Sequence, residues 1–215
     1  MGIALSKEFI AEGHEIIGYD VDEGRMKMLE DLGGSRAASA KDIAEQCGIT
    51  FSILLKEAHI EENTFGPNGI AKAGKQGLIH VEMSTMKPAF QAGMAKRLAA
   101  EGIVMLDAPI SGSHPRVASR QISMMIGGEK GAFDRVLPIL DPITSSVVLM
   151  GENGKGATMK IVAFIEARQD QAIRKILEHC GIWEDPPSRG PPGPGLGLRS
   201  VRPMPDAQDG IRYEI

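Results

Sequence analysis

The sequence predicts a doubly wound α/β domain on a mostly parallel sheet, and three observations lead to it. Short apolar runs alternate with stretches of helical periodicity over the first two thirds of the chain. The runs are near-continuously apolar rather than alternating, which is the pattern of strands covered on both faces. Hydrophobic residues make up 42% of the 215 residues, enough for one full domain or a domain with a small appendage. Aromatics are only 4%, so the core must be built from Ile, Leu, Val, Ala and Met.

Taken in order, Ile3–Glu12 carries helical spacing and leads into EIIGYD (Glu15–Asp20), a strand. Asp22–Asp31 and Ala40–Cys47 read as helices, TFSILL (Thr50–Leu55) and LIHVEM (Leu78–Met83) as buried strands. Lys87–Ala100 is a helix, followed by the strands IVMLDAP (Ile103–Pro109) and ISMMIGG (Ile122–Gly128). Lys130–Leu140 reads as a helix and SSVVLMG (Ser145–Gly151) as the last buried strand. A further helix is expected from about Ala157 to Cys180, stopping at Gly181, since glycine is favoured just past a helix end. Seven of the 13 prolines fall between Pro186 and Pro205. Such a segment lacks the apolar surface to offset its ordering entropy and is expected to be disordered or polyproline-like.

Charge and cysteine content exclude several classes. A formal net charge of −4 argues against a nucleic-acid binder, which needs clustered excess Lys and Arg to neutralise phosphates. Cys47 and Cys180 are too few for a disulfide framework or a structural zinc site, so no metal is expected. Each is expected to be a buried or half-buried thiol in a reducing compartment. No run of 18 apolar residues is present and the start lacks the features of a signal peptide. The expected location is cytoplasmic, with no membrane partner.

The Glu15–Asp20 strand follows a helix and ends in a carboxylate. In dinucleotide-binding units the second strand ends this way, and the acid bonds the adenosine ribose while disfavouring a 2′-phosphate. Asp20 suits that role and suggests NAD over NADP; equally, Asp20-Val21-Asp22 reads as the cap of the next helix. Only Met1-Gly2 precedes Ile3, so a G-x-G-x-x-G loop, which would cradle the pyrophosphate, cannot be completed, and the strand before it is expected to be missing. A sheet without its first strand leaves edges unpaired, so self-association through exposed apolar surface is expected.

Three motifs then stand in order: STMKP (Ser84–Pro88) between a strand and a helix, DAPISGS (Asp107–Ser113) followed by MMIGG (Met124–Gly128), and GKGATMK (Gly154–Lys160) after the last strand. Together with GPNGIA (Gly66–Ala71) and the opening MGIALSKEFIAEGHEIIGYD, they resemble the 3-hydroxyisobutyrate, or β-hydroxyacid, dehydrogenase family, of 6-phosphogluconate dehydrogenase-like type. The resemblance covers Met1 to about Val162 and implies a Rossmann-type NAD-binding domain, cofactor NAD, and a small 3-hydroxy acid as substrate.

The resemblance also implies roles. Gly2 is the remnant of the glycine loop, and Leu55, Lys56 and Thr85 lie against the cofactor, Lys56 standing where the family usually has proline. Ser111, Gly112 and Ser113 form the substrate-binding turn, small residues whose amides suit a carboxylate. Read without the resemblance, that segment is an ordinary turn after a strand, and Thr85 a helix N-cap. Lys160 matches the catalytic lysine; chemistry asks there for a cation that gives or takes a proton as hydride moves. Outside the motif it would read as a solvated surface lysine. Two departures stand out: Phe164 replaces an Asn one helical turn after Lys160, and Arg120 replaces a loop glycine, which is expected to force a different backbone.

From about Ala163 the text resembles the C-terminal tails of insertion-sequence transposases, though its 7 Lys/Arg against 8 Asp/Glu do not suit DNA. The expected organisation is thus 1–162, an incomplete NAD-binding domain; 163–185, a helical extension of foreign origin; and 186–215, a disordered tail. Two functions follow: an NAD-dependent oxidoreductase acting on a 3-hydroxy acid but inactive in this form, or a non-catalytic remnant that at most binds nucleotide weakly.

Overall fold

A computed structural model describes residues 1–166 and the pair Arg212–Tyr213. Helix α1 (Gly2–Ala11) leads into β1 (Glu15–Gly18), α2 (Glu23–Asp31), β2 (Ser35–Arg36), α3 (Ala40–Gln46) and β3 (Ile49–Ser52). After them come α4 (Glu57–Phe65), a 3₁₀ turn (Ile70–Ala73), β4 (Ile79–Glu82), α5 (Pro88–Ala100) and β5 (Val104–Asp107). The chain continues through β6 (Ile110–Ser111), α6 (His114–Ala118), β7 (Ser123–Gly128), α7 (Lys130–Leu140) and β8 (Ser146–Gly151). Residues 155–166 are helical (α8), and Arg212–Tyr213 form β9. By contacts the chain divides into one unit of residues 1–161 with 210–215 and another of 162–209. The end of the helix expected to reach Cys180, the transposase-like text and most of the expected disordered tail lie outside the described residues.

Strands β3, β4 and β5 are parallel, β7 runs antiparallel to β5 and β6, and β8 is parallel to β7. β1 pairs in parallel with β2 on one side and β9 on the other, and β9 also lies against β3. The sheet is therefore mixed at one end and mostly parallel elsewhere, with helices on both faces. The two residues of β9 thus stand between β1 and β3.

Side chains alternate across the sheet with period two. Ile49, Phe51, Ile79, Val81 and Leu106 join one core with Leu5 and Phe9 of α1 and Phe133 and Val136 of α7. Phe9 and Phe51 pack with ring centroids 5.3 Å apart, so the scarce aromatics join α1 to the sheet. Leu78 and Met105 face the other way, toward Ile60 of α4 and Met94 and Leu98 of α5. Several boundaries differ from expectation. The Thr50–Leu55 strand stops at Ser52, because Leu55 has turned out into solvent and is 87% exposed. β8, expected to be buried, is only partly covered, since it borders β7 alone and forms an edge. α4, α6, β2 and β6 are unannounced by any long periodic run; each is nine residues or fewer.

The place of β9 makes a prediction. Removing residues 210–215 should speed amide exchange along β1, which would lose its pairing with β9. Unchanged exchange at Ile16 and Ile17 would show that β1 holds its place without β9.

Candidate functional site

The carboxyl ends of β3, β4 and β5 share one edge of the sheet, and the loops leaving them carry most of the residues singled out in the sequence. Leu55 and Lys56 follow β3, and Lys56 is the N-cap residue of α4, without a side-chain cap bond. Thr85 follows β4 and is exposed. It does not cap the next helix: α5 begins at Pro88 with Lys87 as N-cap and no side-chain cap bond, so the alternative reading of Thr85 falls away. These two loops are tied together. The Leu54 amide donates to Ser84 Oγ at 2.7 Å, and Lys87 Nζ lies 3.4 Å from Glu57 Oε1.

Asp20 stands just past β1 with a half-buried carboxylate. The cap of α2 is Asp22, whose side chain accepts from the Arg25 amide at 3.1 Å, so Asp20 is not spent on capping. Its Oδ1 accepts from the Asp22 amide at 2.9 Å and its Oδ2 from Arg25 Nη1 at 3.1 Å. Gly2 is the first residue of α1.

Ser111 closes β6, and Gly112 and Ser113 form an exposed turn into α6. Gly112 has φ +154°, and a Cβ there would lie 2.6 Å from Ile122 Cγ2, so the position admits only glycine. The turn is ordinary in form, but its exposure leaves it open to a ligand.

Lys160 lies on α8 and is half-buried; burial lowers its pKa from the ordinary lysine value. What seats α8 is Asp107 at the end of β5. Its carboxylate, buried at 0% exposure, accepts from the Gly154 amide at 2.7 Å and the Ala157 amide at 2.9 Å, so an acid on the sheet caps the helix. Burial raises the Asp107 pKa, and these amide bonds oppose the rise. Asn153 Nδ2 donates to the Met105 carbonyl at 2.8 Å. Gly154 (φ +92°) passes so close to α5 that a Cβ would sit 2.8 Å from the Pro88 carbonyl oxygen. The α8 start is thereby pressed against the first turn of α5, the helix that follows the Thr85 loop.

The structure thus ties the Leu55–Lys56 loop to the Thr85 loop and sets the root of the Lys160 helix against the first turn of α5, which follows the Thr85 loop, while Gly2 opens α1 and Asp20 follows β1. No direct contact between these two groups is seen among the described residues. Asp107 was visible in the DAPISGS motif, but nothing in its spacing announces a partner nearly fifty residues on. Arg120 has a left-handed backbone, at φ 55°, a conformation that favours glycine. Its guanidinium bonds Glu8 at 3.0 Å, Glu12 at 2.6 Å and the Pro142 carbonyl at 3.1 Å, and these bonds hold the strained backbone. A cavity of about 400 Å³ lies by the amino end of β1 among Ile10, His14, Glu15 and Ile16, away from this edge.

Residues 1–151 match the family profile described as the NAD binding domain of 6-phosphogluconate dehydrogenase. The chain is 32% identical over 161 residues to human mitochondrial 3-hydroxyisobutyrate dehydrogenase, covering 75% of this chain and 48% of that one. It is 29% identical over 163 residues to L-threonate dehydrogenase of Cupriavidus necator, covering 75% and 55%. Its fold matches Mycobacterium tuberculosis 3-hydroxyisobutyrate dehydrogenase, solved with L-serine, at a TM-score of 0.77 and 21% identity, over 85% of this chain and 63% of that one. The chain spans about half the length of these sequence relatives.

Asp107→Ala would leave the Gly154 and Ala157 amides buried without their acceptor. At about 1–3 kcal/mol for each such group, the expected loss of unfolding free energy is about 2–4 kcal/mol. Urea unfolding of the variant checks it, and a loss under about 0.5 kcal/mol would show that the carboxylate does not hold α8.

Proposed function

The chain belongs to the family of NAD-binding domains exemplified by that of 6-phosphogluconate dehydrogenase, and from that premise we propose that it forms the cofactor side of a 3-hydroxyacid dehydrogenase. The cofactor is NAD and the substrate a small 3-hydroxy acid. The observation that carries this reading is Lys160: a half-buried lysine of lowered pKa, on a helix that Asp107 seats on the end of β5 beside the first turn of α5. The names of the relatives, acting on 3-hydroxyisobutyrate and L-threonate, support the substrate class.

The residues present fit a dinucleotide. Leu55 offers an almost fully exposed aliphatic side chain at the strand ends, and Thr85 an exposed hydroxyl not spent on capping. Both suit the nicotinamide side, with Lys56 beside them. The amides from Gly2 onward open a ten-residue helix and suit a phosphate. Asp20 suits the ribose hydroxyls and a preference for NAD over NADP. When bound, NAD supplies the acceptor for hydride. Lys160 Nζ, in its neutral form, takes the proton of the substrate hydroxyl, and the turn Ser111–Gly112–Ser113 receives the carboxylate.

Residues 1–162 are the cofactor domain on this reading, supported by the match over 1–151 and by the contact unit that runs to Ile161. Residues 163–185 and 186–215 are the extension and tail. Self-association fits the exposure of Met159 and Ile161, at 42% and 39%. A cytoplasmic location belongs to the same reading; no helix among the described residues is long and apolar enough to cross a membrane. A second reading, a nucleotide-binding remnant without turnover, is favoured by Phe164, which stands four residues after Lys160 where related enzymes are expected to carry Asn.

Lys160 decides between them through pH. Because its pKa lies below the ordinary 10.5, the neutral form gains population at lower pH than for a free lysine. Oxidation of 3-hydroxyisobutyrate by NAD should therefore rise about tenfold per pH unit and level off below pH 10.5, and Lys160→Ala should remove the rise together with the activity. NADH binding without turnover, or no binding, would reject the dehydrogenase reading and favour the remnant.

A further inference from the structure

On the face of the sheet toward α4 and α5, the strands β3 and β4 carry polar residues where a parallel sheet ordinarily carries aliphatic ones. In the observed register Thr50 lies opposite His80 and Ser52 opposite Glu82. Thr50, Ser52, His80, Glu82 and Ser84 are all buried, at 3% exposure or less. Polar groups buried without partners cost about 1–3 kcal/mol each, so a row of five must be joined. The row is joined. Thr50 Oγ1 and His80 Nδ1 are 2.9 Å apart, and His80 Nε2 and Ser52 Oγ 3.3 Å. Ser52 Oγ donates to Glu82 Oε2 at 2.5 Å, and the Ser84 amide donates to Glu82 Oε1 at 2.7 Å. Ser84 Oγ in turn accepts from the Leu54 amide at 2.7 Å, and the Ser84 carbonyl accepts from Gln91 Nε2 of α5 at 3.2 Å.

The donors have one direction. Ser52 gives its hydroxyl hydrogen to Glu82, so it must accept from His80 Nε2–H; in the tautomer with hydrogen on Nε2 alone, Nδ1 accepts from the Thr50 hydroxyl. The bonds run from the middle of the sheet to Glu82, and beyond it through Ser84 to the backbone of both loops at the carboxyl edge. One of those loops carries Leu55 and Lys56, the other Thr85.

We propose that Glu82 and Ser84 are positioning residues for the cofactor: the carboxylate sets the place of Ser84, and Ser84 fixes the Leu55–Lys56 loop relative to the Thr85 loop. The proposal rests on the NAD reading. Neither side chain need touch the ligand. They hold a pair of loops at one spacing, so that the surfaces facing the nicotinamide are in place before it arrives, which lowers the ordering cost of binding. The groups bonded to Glu82, the Ser52 hydroxyl and the Ser84 amide, carry no charge, and His80 Nε2 lies 3.9 Å from Glu82 Oε2.

The test is NADH titration of the full chain, followed by fluorescence, together with amide exchange. Ser84→Ala removes the acceptor of the Leu54 amide; it should raise the NADH Kd about tenfold or more and speed exchange selectively at Leu54, Leu55 and Lys56. Ser84→Thr keeps a hydroxyl and should stay within about threefold of wild type. Glu82→Gln keeps one acceptor oxygen and should fall between them. A merely structural role would lower Tm without the selective exchange, with Kd unchanged once the folded fraction is counted, and that outcome overturns the proposal. Were the wild type to bind no NADH, the cofactor reading itself would fall and this role with it. Wild-type binding that neither Ser84→Ala nor Glu82→Gln weakens would overturn this role alone.

Discussion

The place of Lys160, on which the proposed chemistry turns, depends on one buried carboxylate. Asp107 ends β5, and its two oxygens receive amides from the first turn of α8. A carboxylate taken out of water is costly unless its lone pairs are filled, and here the N-terminal amides of a helix fill them. The exchange serves both partners: the helix start gains an acceptor for N–H groups that no preceding turn could satisfy, and the acid gains donors. Lys160 is thus fixed to the sheet rather than to a loop.

Such a seat requires close approach, and the chain provides it by leaving out side chains. A Cβ at Gly156 would run into the carbonyls of Met125 and Asp107, and one at Gly127 into the Asp107 carboxylate. The glycines in MMIGG and GKGATMK are therefore contact surfaces between helix and strand more than hinges. Arg120 shows the reverse arrangement. There a large side chain accepts a backbone conformation that suits glycine, and its ion pairs to Glu8, nearly buried, and Glu12 bind α1 to the loop before β7.

How much of this was legible in the sequence follows from the range of each interaction. Strands such as Ile79–Glu82 and helices such as Lys130–Leu140 are announced by local periodicity, and the structure has them within a residue or two of expectation at most ends. α4 was missed because EAHIEENTF buries only Ile60 and Thr64, too few for an apolar stripe. Leu55 read as the end of a strand because an exposed leucine and a buried one look alike in sequence. The choice between Asp20 and Asp22 as cap needed coordinates, since both have the right spacing. The motifs led to Thr85, Ser111–Ser113 and Lys160. The Asp107 seat and the Glu82 row were not visible, because each joins residues about thirty to fifty positions apart with no local trace.

The alternation of β3 and β4 has a consequence for how the sheet assembles. One face of this strand pair is aliphatic and aromatic, with Ile49, Phe51, Ile79 and Val81; the other is the row of Thr50, Ser52, His80 and Glu82. If β4 paired one residue out of step, every side chain would change faces. Glu82 and His80 would then turn toward Phe9 and Leu5, and Val81 toward Ser52. An all-aliphatic pair tolerates such a slip, because either face is greasy enough to bury. Here a slipped pair would leave a carboxylate and an imidazole in hydrocarbon without partners. The polar row therefore acts as a key in the sheet, making the correct alignment of its central strands the one alignment that can close.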